Sequence, residues 1–147
     1  MNKEKEINFD LRILGIDVKK FSQFELTKEF DKKKFPLVQY QTNLSFRVDN
    51  DNEKIVCIVQ VSIRLVETEE LFAELIVETS FLVSPLKKLV KLNDDGKESI
   101  NTVVMYNLAS VSVSTIRGIL FERLKGSLIQ NEIYPLTDLA KMFNLKK

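Results

Sequence analysis

The sequence predicts an α+β chain: a four-stranded antiparallel sheet packed by one long helix and a short C-terminal helix. Three observations predict it. Before Pro85, apolar residues alternate with polar ones in four separate stretches, the two-residue period of strands with one covered face. From Asn101 to Phe121, twenty-one residues carry a single charge, Arg117, too few for a helix washed by solvent on one side. Beyond them, Pro135 leads into a brief apolar pattern at helical spacing.

In chain order, Ile7, Phe9, Leu11 and Ile13 alternate with Asn8, Asp10 and Arg12, and Gly15 breaks or bulges this first strand. The stretch from Asp17 to Tyr40 mixes phenylalanines with lysines at a spacing that fits neither a strand nor a helix. Leu44, Phe46 and Val48 then alternate with Ser45 and Arg47, and Asp49 to Asn52 is a strong turn signal. Cys57, Val59, Val61, Ile63 and Leu65 share one face of the longest clean strand. After a turn at Thr68 to Glu70, Leu71, Ala73, Leu75, Val77, Phe81 and Val83 oppose Glu74, Glu78, Ser80 and Ser84 until Pro85. Strands following one another this closely read as an antiparallel meander.

The charge-poor segment gives a divided local signal. Val111 and Val113 alternate with serines as in a strand. Met105, Leu108, Ala109, Ser112, Ile116, Ile119, Leu120 and Leu124 follow helical spacing, with Arg123, Lys125 and Gly126 placed to close a helix, and the helical reading is favoured. Thr137 to Phe143 reads as the second helix, capped by Thr137. Residues 1–147 show no repeat or linker and are expected to form one domain. The amides and hydroxyls of Asn107, Ser110, Ser112, Ser114 and Thr115 count against membrane insertion, so the cover should be protein. Ala109, Ser112, Ile116 and Gly118, mostly small, would let a second copy approach, making an oligomer interface.

Composition narrows the function. Lys and Arg total 22 against 21 Asp and Glu, so no overall field draws the chain to nucleic acid. There is no histidine, and the four glycines are isolated, so catalytic triads, metal sites and phosphate loops lose their support. The expectation is a non-enzyme with no cofactor and no metal. The charged start MNKEKEINF lacks the apolar core of a secretory signal, and a single cysteine, Cys57, sits in the apolar run IVCIVQV as a core residue, so a cytoplasmic protein is expected.

The string STIRGILFERLKGSL running into IYPLTDLAKMF, preceded by RLVETEELFAELIVETSFLV, resembles SecB, the bacterial export chaperone, and its solitary SecB-like relatives over nearly the whole chain. The resemblance implies a homotetramer, a dimer of dimers with long helices sandwiched between sheets. It further implies an ATP-independent holdase that keeps unfolded polypeptides in exposed apolar grooves. The implied client surface is Phe21, Phe24, Phe30, Phe35 and Tyr40 with Leu136, Leu139, Met142 and Phe143. Equally, these side chains could cap the sheet edge and pin the last helix. Eight acids between Asp49 and Glu78 face only Lys54 and Arg64, so the outer face of the central hairpin should be acidic. In SecB that face docks the motor SecA, which would place Leu65, Glu67, Glu69 and Glu70 in partner docking; a solvated sheet face is the other reading. Lys19, Lys20 and the ending MFNLKK depart from the family pattern and weaken a motor role. A solitary SecB-like chaperone of a toxin-antitoxin system, controlling antitoxin stability, is the main alternative. From another class, a monomeric α+β module could enclose a small apolar ligand.

Overall fold

Alternating β-branched and aromatic residues carry the chain through four long strands, β1 (Asp10–Gln23), β2 (Val38–Asp49), β3 (Lys54–Leu65) and β4 (Leu71–Ser84). They belong to a computed structural model that describes residues 8–135 and 139–143; Ile7, Leu136 and Thr137 lie outside the described residues. The sheet order is β1-β4-β3-β2, every neighbour antiparallel. The expected meander therefore holds for β2, β3 and β4 only, while β1 lies beside β4 in a Greek-key arrangement. This order makes β3 and β4, the two most apolar strands, central and leaves the more polar β1 and β2 as edges.

Both edge strands run further than their sequence pattern indicates. β1 passes Gly15 and reaches Gln23, with its register shifted between Ile13 and Gly15 and again between Val18 and Lys20. Each bulge resets the alternation, which hides the strand from a period-two reading. Phe21 and Tyr40, expected in an irregular stretch, are strand residues. The two predicted turns form where acids and amides favour them: Glu53 and Glu69 take left-handed φ values of 49° and 62°. In the second turn the Leu65 and Glu70 backbones close at 3.0 Å.

Ile55, Val59, Val61 and Leu65 of β3 and Leu75, Val77, Phe81 and Val83 of β4 are buried on the inner face. Each such side chain contributes roughly 1.5–3 kcal/mol by leaving water. Beyond Pro85, a one-turn helix α1 (Leu86–Leu89) and a small hairpin, β5 (Val90–Leu92) with β6 (Glu98–Ile100), are too short to show as periodicity. They deliver the chain to the sheet's inner face.

There the charge-poor segment forms α2 (Thr102–Arg123), so the helical half of the divided signal prevails. Asn101 caps it, its side chain accepting from the Val103 and Val104 amides at 2.9 and 3.3 Å. Asn107, Ser112 and Thr115 donate to carbonyls one turn back, at 2.7 to 2.8 Å, which satisfies polar groups on a largely apolar helix. Val104, Leu108, Ala109, Ser112, Val113, Ile116 and Leu120 face the sheet. By length and composition α2 could cross a membrane, but that inner face is already packed on protein. The helix crosses obliquely. Met105 lies with Phe46 and Val48 of β2, whereas Arg123 stands 5.8 Å over the Phe21 ring of β1. The chain then returns over β2 through Tyr134 to α3 (Leu139–Met142).

Candidate functional site

The residues expected to bind clients separate into three places. Phe21 is half-buried at the β1 edge under Arg123. Tyr40 meets Tyr134 edge-on at 5.4 Å, Leu139 is buried, and Phe143 tilts against Phe46 at 6.5 Å, so these three hold the C-terminal segment onto β2. Burial pushes the Tyr40 hydroxyl up to about 12, and the negative charge of Glu132 adds to the shift. The Thr42 and Tyr134 hydroxyls bond to each other beside it. Met142 remains partly exposed next to this cluster.

Phe24, Phe30 and Phe35 lie on residues 24–37, a strap that joins the end of β1 to the start of β2. It crosses the end of the β3–β4 hairpin. Its backbone is tied at both ends, Phe24 N–H to the Phe72 carbonyl at 2.8 Å and Val66 N–H to the Leu37 carbonyl at 3.1 Å. Between them, Glu70 accepts the Thr27 amide at 3.0 Å and the Thr27 hydroxyl, and Glu67 accepts the Asp31 amide at 2.8 Å. The Thr27 hydroxyl holds the Glu70 carboxyl below its ordinary range. Leu26, Phe30 and Leu37 pack against the core, while Phe35, after three lysines, is 88% exposed.

This geometry corrects the partner-docking set. Leu65 is fully buried, because it is on the inner face of β3 beneath the strap, and cannot be part of an exposed surface. Glu67 and Glu70 are engaged within the chain; Glu69 remains on the surface at its left-handed turn position. Nor is the outer sheet face simply acidic. β1 and β2 bring Lys19, Lys20 and Arg47 to Glu78 and Glu74 at 3.4 to 3.6 Å. Those pairings depend on strand order, which a count of charges along the chain does not contain.

The expected oligomer interface is corrected in the same way. Ala109, Ser112 and Ile116 are buried between α2 and the sheet of their own chain, since i, i+3 and i+7 spacing places them on the inner stripe. Gly118 alone of the four is on the exposed side, and a Cβ added there meets nothing within 4 Å. Beside it on that side, Val103, Val111 and Phe121 stay exposed. Cys57 is buried as expected, and burial raises its thiol.

Two open clefts among the described residues flank α2. Beside β2, Phe46, Val48, Ile100 and Met105 with the β5–β6 turn line a cleft of about 640 Å³. Beside β1, Val18, Thr115, Gly118 and Ile119 line a shallower one of about 330 Å³, continued in the half-exposed Ile13 and Ile16. Sequence reading missed Phe46, Val48 and Met105 as cleft residues, because alternation assigned Phe46 and Val48, and helical spacing Met105, to the covered face, whereas all three are only half-buried. Which part of that face the helix leaves bare was not in the pattern.

No protein-family model matches the chain, and comparison with curated proteins gives no relative. Among solved structures, the Mycobacterium tuberculosis Rv1957 SecB-like chaperone, in complex with a ChAD peptide from the Rv1956 HigA1 antitoxin, is similar with a TM-score of 0.52 and 10% identity, over 87% of this chain and 90% of that one. A Streptococcus agalactiae protein of unknown function is similar at a TM-score of 0.43 and 9% identity, over 90% of this chain and 99% of that one. The chain has the SecB-like fold, α+β with a four-stranded antiparallel sheet and a long helix.

Proposed function

We propose that the protein is a non-enzymatic, ATP-independent holdase of the SecB-like kind, acting in the cytoplasm on unfolded or nascent polypeptide. The observation that carries this reading is a pair of open clefts flanking α2 in a chain of SecB-like fold, each with an apolar floor and a charged rim: Phe46, Val48 and Met105 beside Lys97 and Glu98, and Val18 and Ile119 beside Glu122 and Arg123. Contiguous exposed apolar surface of this sort has a use when it is covered by a partner chain. The β1 cleft and the apolar outer stripe of α2 at Val103, Val111 and Phe121 suit a second copy, giving a dimer that can pair again into a tetramer. The β2 cleft, with Met142 and Phe143 near it, suits an extended client, since thioether and aromatic side chains adapt to varied partners.

Between the two client classes, a dedicated client such as an antitoxin is favoured over hand-over to a SecA-type motor. The similar mycobacterial chaperone is bound to an antitoxin peptide, whereas in this chain the acids expected to meet a motor hold the strap. The monomeric ligand-binding alternative calls for an enclosed chamber, whereas the two clefts beside α2 among the described residues are open.

The test is suppression of aggregation of a chemically denatured reference protein at stoichiometric ratio, without ATP, with mass by light scattering. A tetramer or dimer that holds the client supports the reading; a monomer without holding activity overturns it. Met142→Ser, at an exposed position on the segment packed beside the β2 cleft, should weaken client capture without loss of folding.

A further inference from the structure

The strap is built like a ligand seated in a site. Two apolar side chains four residues apart, Leu26 and Phe30, pack against the core, while the hydroxyl and amide of Thr27 and the amide of Asp31 go to two carboxylates of a different hairpin. A connection needs only to span; this one also anchors its middle. The ground it occupies is the end of the core, at Leu65 and Phe72, with Phe72 and Val66 bonded to the strap backbone. Both latching acids lie at a turn made rigid by the Glu69 backbone and the closing bonds between Leu65, Glu69 and Glu70.

The hold is local and stops early. From Lys32 to Pro36 every residue is exposed, and among the described residues the backbone bonds there are to Asp31 alone. All latch bonds are solvent-exposed, so opening the strap gives up little besides Leu26 and Phe30, which places it among the segments that open well before the fold does.

We propose that the strap is a built-in occupant of a peptide site. Residues 24–31 cover the apolar end of the core, and an extended segment of like chemistry, with two large apolar side chains four residues apart and a hydroxyl following the first, binds there by displacing them. This rests on the reading of the protein as a polypeptide-binding chaperone and names a site and a segment pattern for it. The strap then acts as a filter: the apparent affinity of an incoming segment is reduced by the fraction of time the strap is shut. Weakly apolar segments fail to displace it, and strongly apolar ones succeed. Since the carboxylates serve whichever segment is present, the same two acids select against segments with Asp or Glu at the position of Thr27.

The probe is a labelled synthetic peptide of the strap itself, FELTKEFDKKKFPL, added to the full chain. In a variant carrying Leu26→Ser, Thr27→Ala and Phe30→Ser, the peptide should bind about tenfold more tightly than to the unaltered protein, by fluorescence anisotropy. Adding Glu67→Ala and Glu70→Ala to that variant should remove the gain. Equal binding to the unaltered and strap-weakened proteins overturns the proposal. Should the triple variant fail to fold, Glu67→Ala with Glu70→Ala in the otherwise unaltered chain decides. The Thr27 and Asp31 amides should exchange hydrogen about tenfold faster while Val59 and Val77 keep their rates. Unchanged exchange at Thr27 and Asp31 overturns the latch. A protein that passes these tests and yet holds no denatured chain sinks the holdase reading and leaves the strap site standing.

Discussion

The two edges of the sheet carry similar alternating strands and end up in different surroundings. On β2, Tyr40, Thr42, Leu44, Phe46 and Val48 are half-buried, beneath Tyr134, Phe143 and the first turns of α2. On β1, Ile13 and Ile16 occupy the corresponding inner face and remain 48% and 49% exposed. The oblique helix accounts for the difference. It starts over the far end of β2 and finishes over the far end of β1, so the returning C-terminal segment fills one uncovered corner. Among the described residues nothing fills the other. Alternation therefore reports which face of a strand is apolar, and the third dimension decides whether that face finds a cover inside its own chain.

The sharpest way to break the comparison is to truncate one inner-face residue at the centre of the sheet and one at its open edge. Phe81 pairs with Ile55 and Ile13 across the sheet and is almost wholly buried. Phe81→Ala should cost about 3–5 kcal/mol in urea unfolding, whereas Ile16→Ala at the open edge should cost under about 1 kcal/mol in a dilute, monomeric sample. A similar cost at both would mean that β1 is covered in solution, and the cost at Ile16 should then grow with protein concentration.

Next in size is the contrast across α2. Ser112→Leu forces bulk between helix and sheet and should cost about 1–3 kcal/mol. Gly118→Leu replaces a glycine in the helix interior and its Cβ meets open space, so chain stability should rise, by about 0.5–1 kcal/mol. If a second copy lies on that side, the same substitution should lower the mass seen by light scattering. Retained mass would argue that the outer side of α2 is not the interface.

The start of α2 gives a smaller effect. Asn101→Ala leaves the Val103 and Val104 amides without a side-chain acceptor and should cost about 1 kcal/mol by thermal or urea unfolding. Comparable in size, Tyr134→Phe removes the hydroxyl shared with Thr42 on the covered edge, at about 1 kcal/mol. No loss there would show that ring packing on Tyr40 alone holds the C-terminal segment down.

The smallest expected effect is with pH, at the strap. Glu70 is held below its ordinary value of 4.5 by the Thr27 hydroxyl, so its stabilising contribution is complete above that value and disappears as pH falls through the lower folded value. The Thr27 amide resonance should therefore move in acid below about pH 4.5, and Glu70→Ala should abolish that movement. A Thr27 resonance that titrates near 4.5 or above would show the bond to be absent in solution.

The amino-acid pattern alone determined a good part of this protein. The two central strands, both tight turns, the stop at Pro85 and a helix through the charge-poor segment were legible, because alternation, turn chemistry and the absence of charge are properties of neighbours along the chain. The bulged half of β1 and the hairpin before Asn101 were not, since bulges erase the period and three-residue strands never establish one. The candidate sites were legible only by residue type. Phe-rich and acidic stretches stood out, but whether Phe21 meets Arg123, whether Glu70 binds Thr27 or a partner, and whether Ser112 faces its own sheet or another copy depended on strand order and the tilt of α2. Those are decided by which distant segments meet. Such meetings are fixed by packing of the whole chain, on which a local pattern places no constraint.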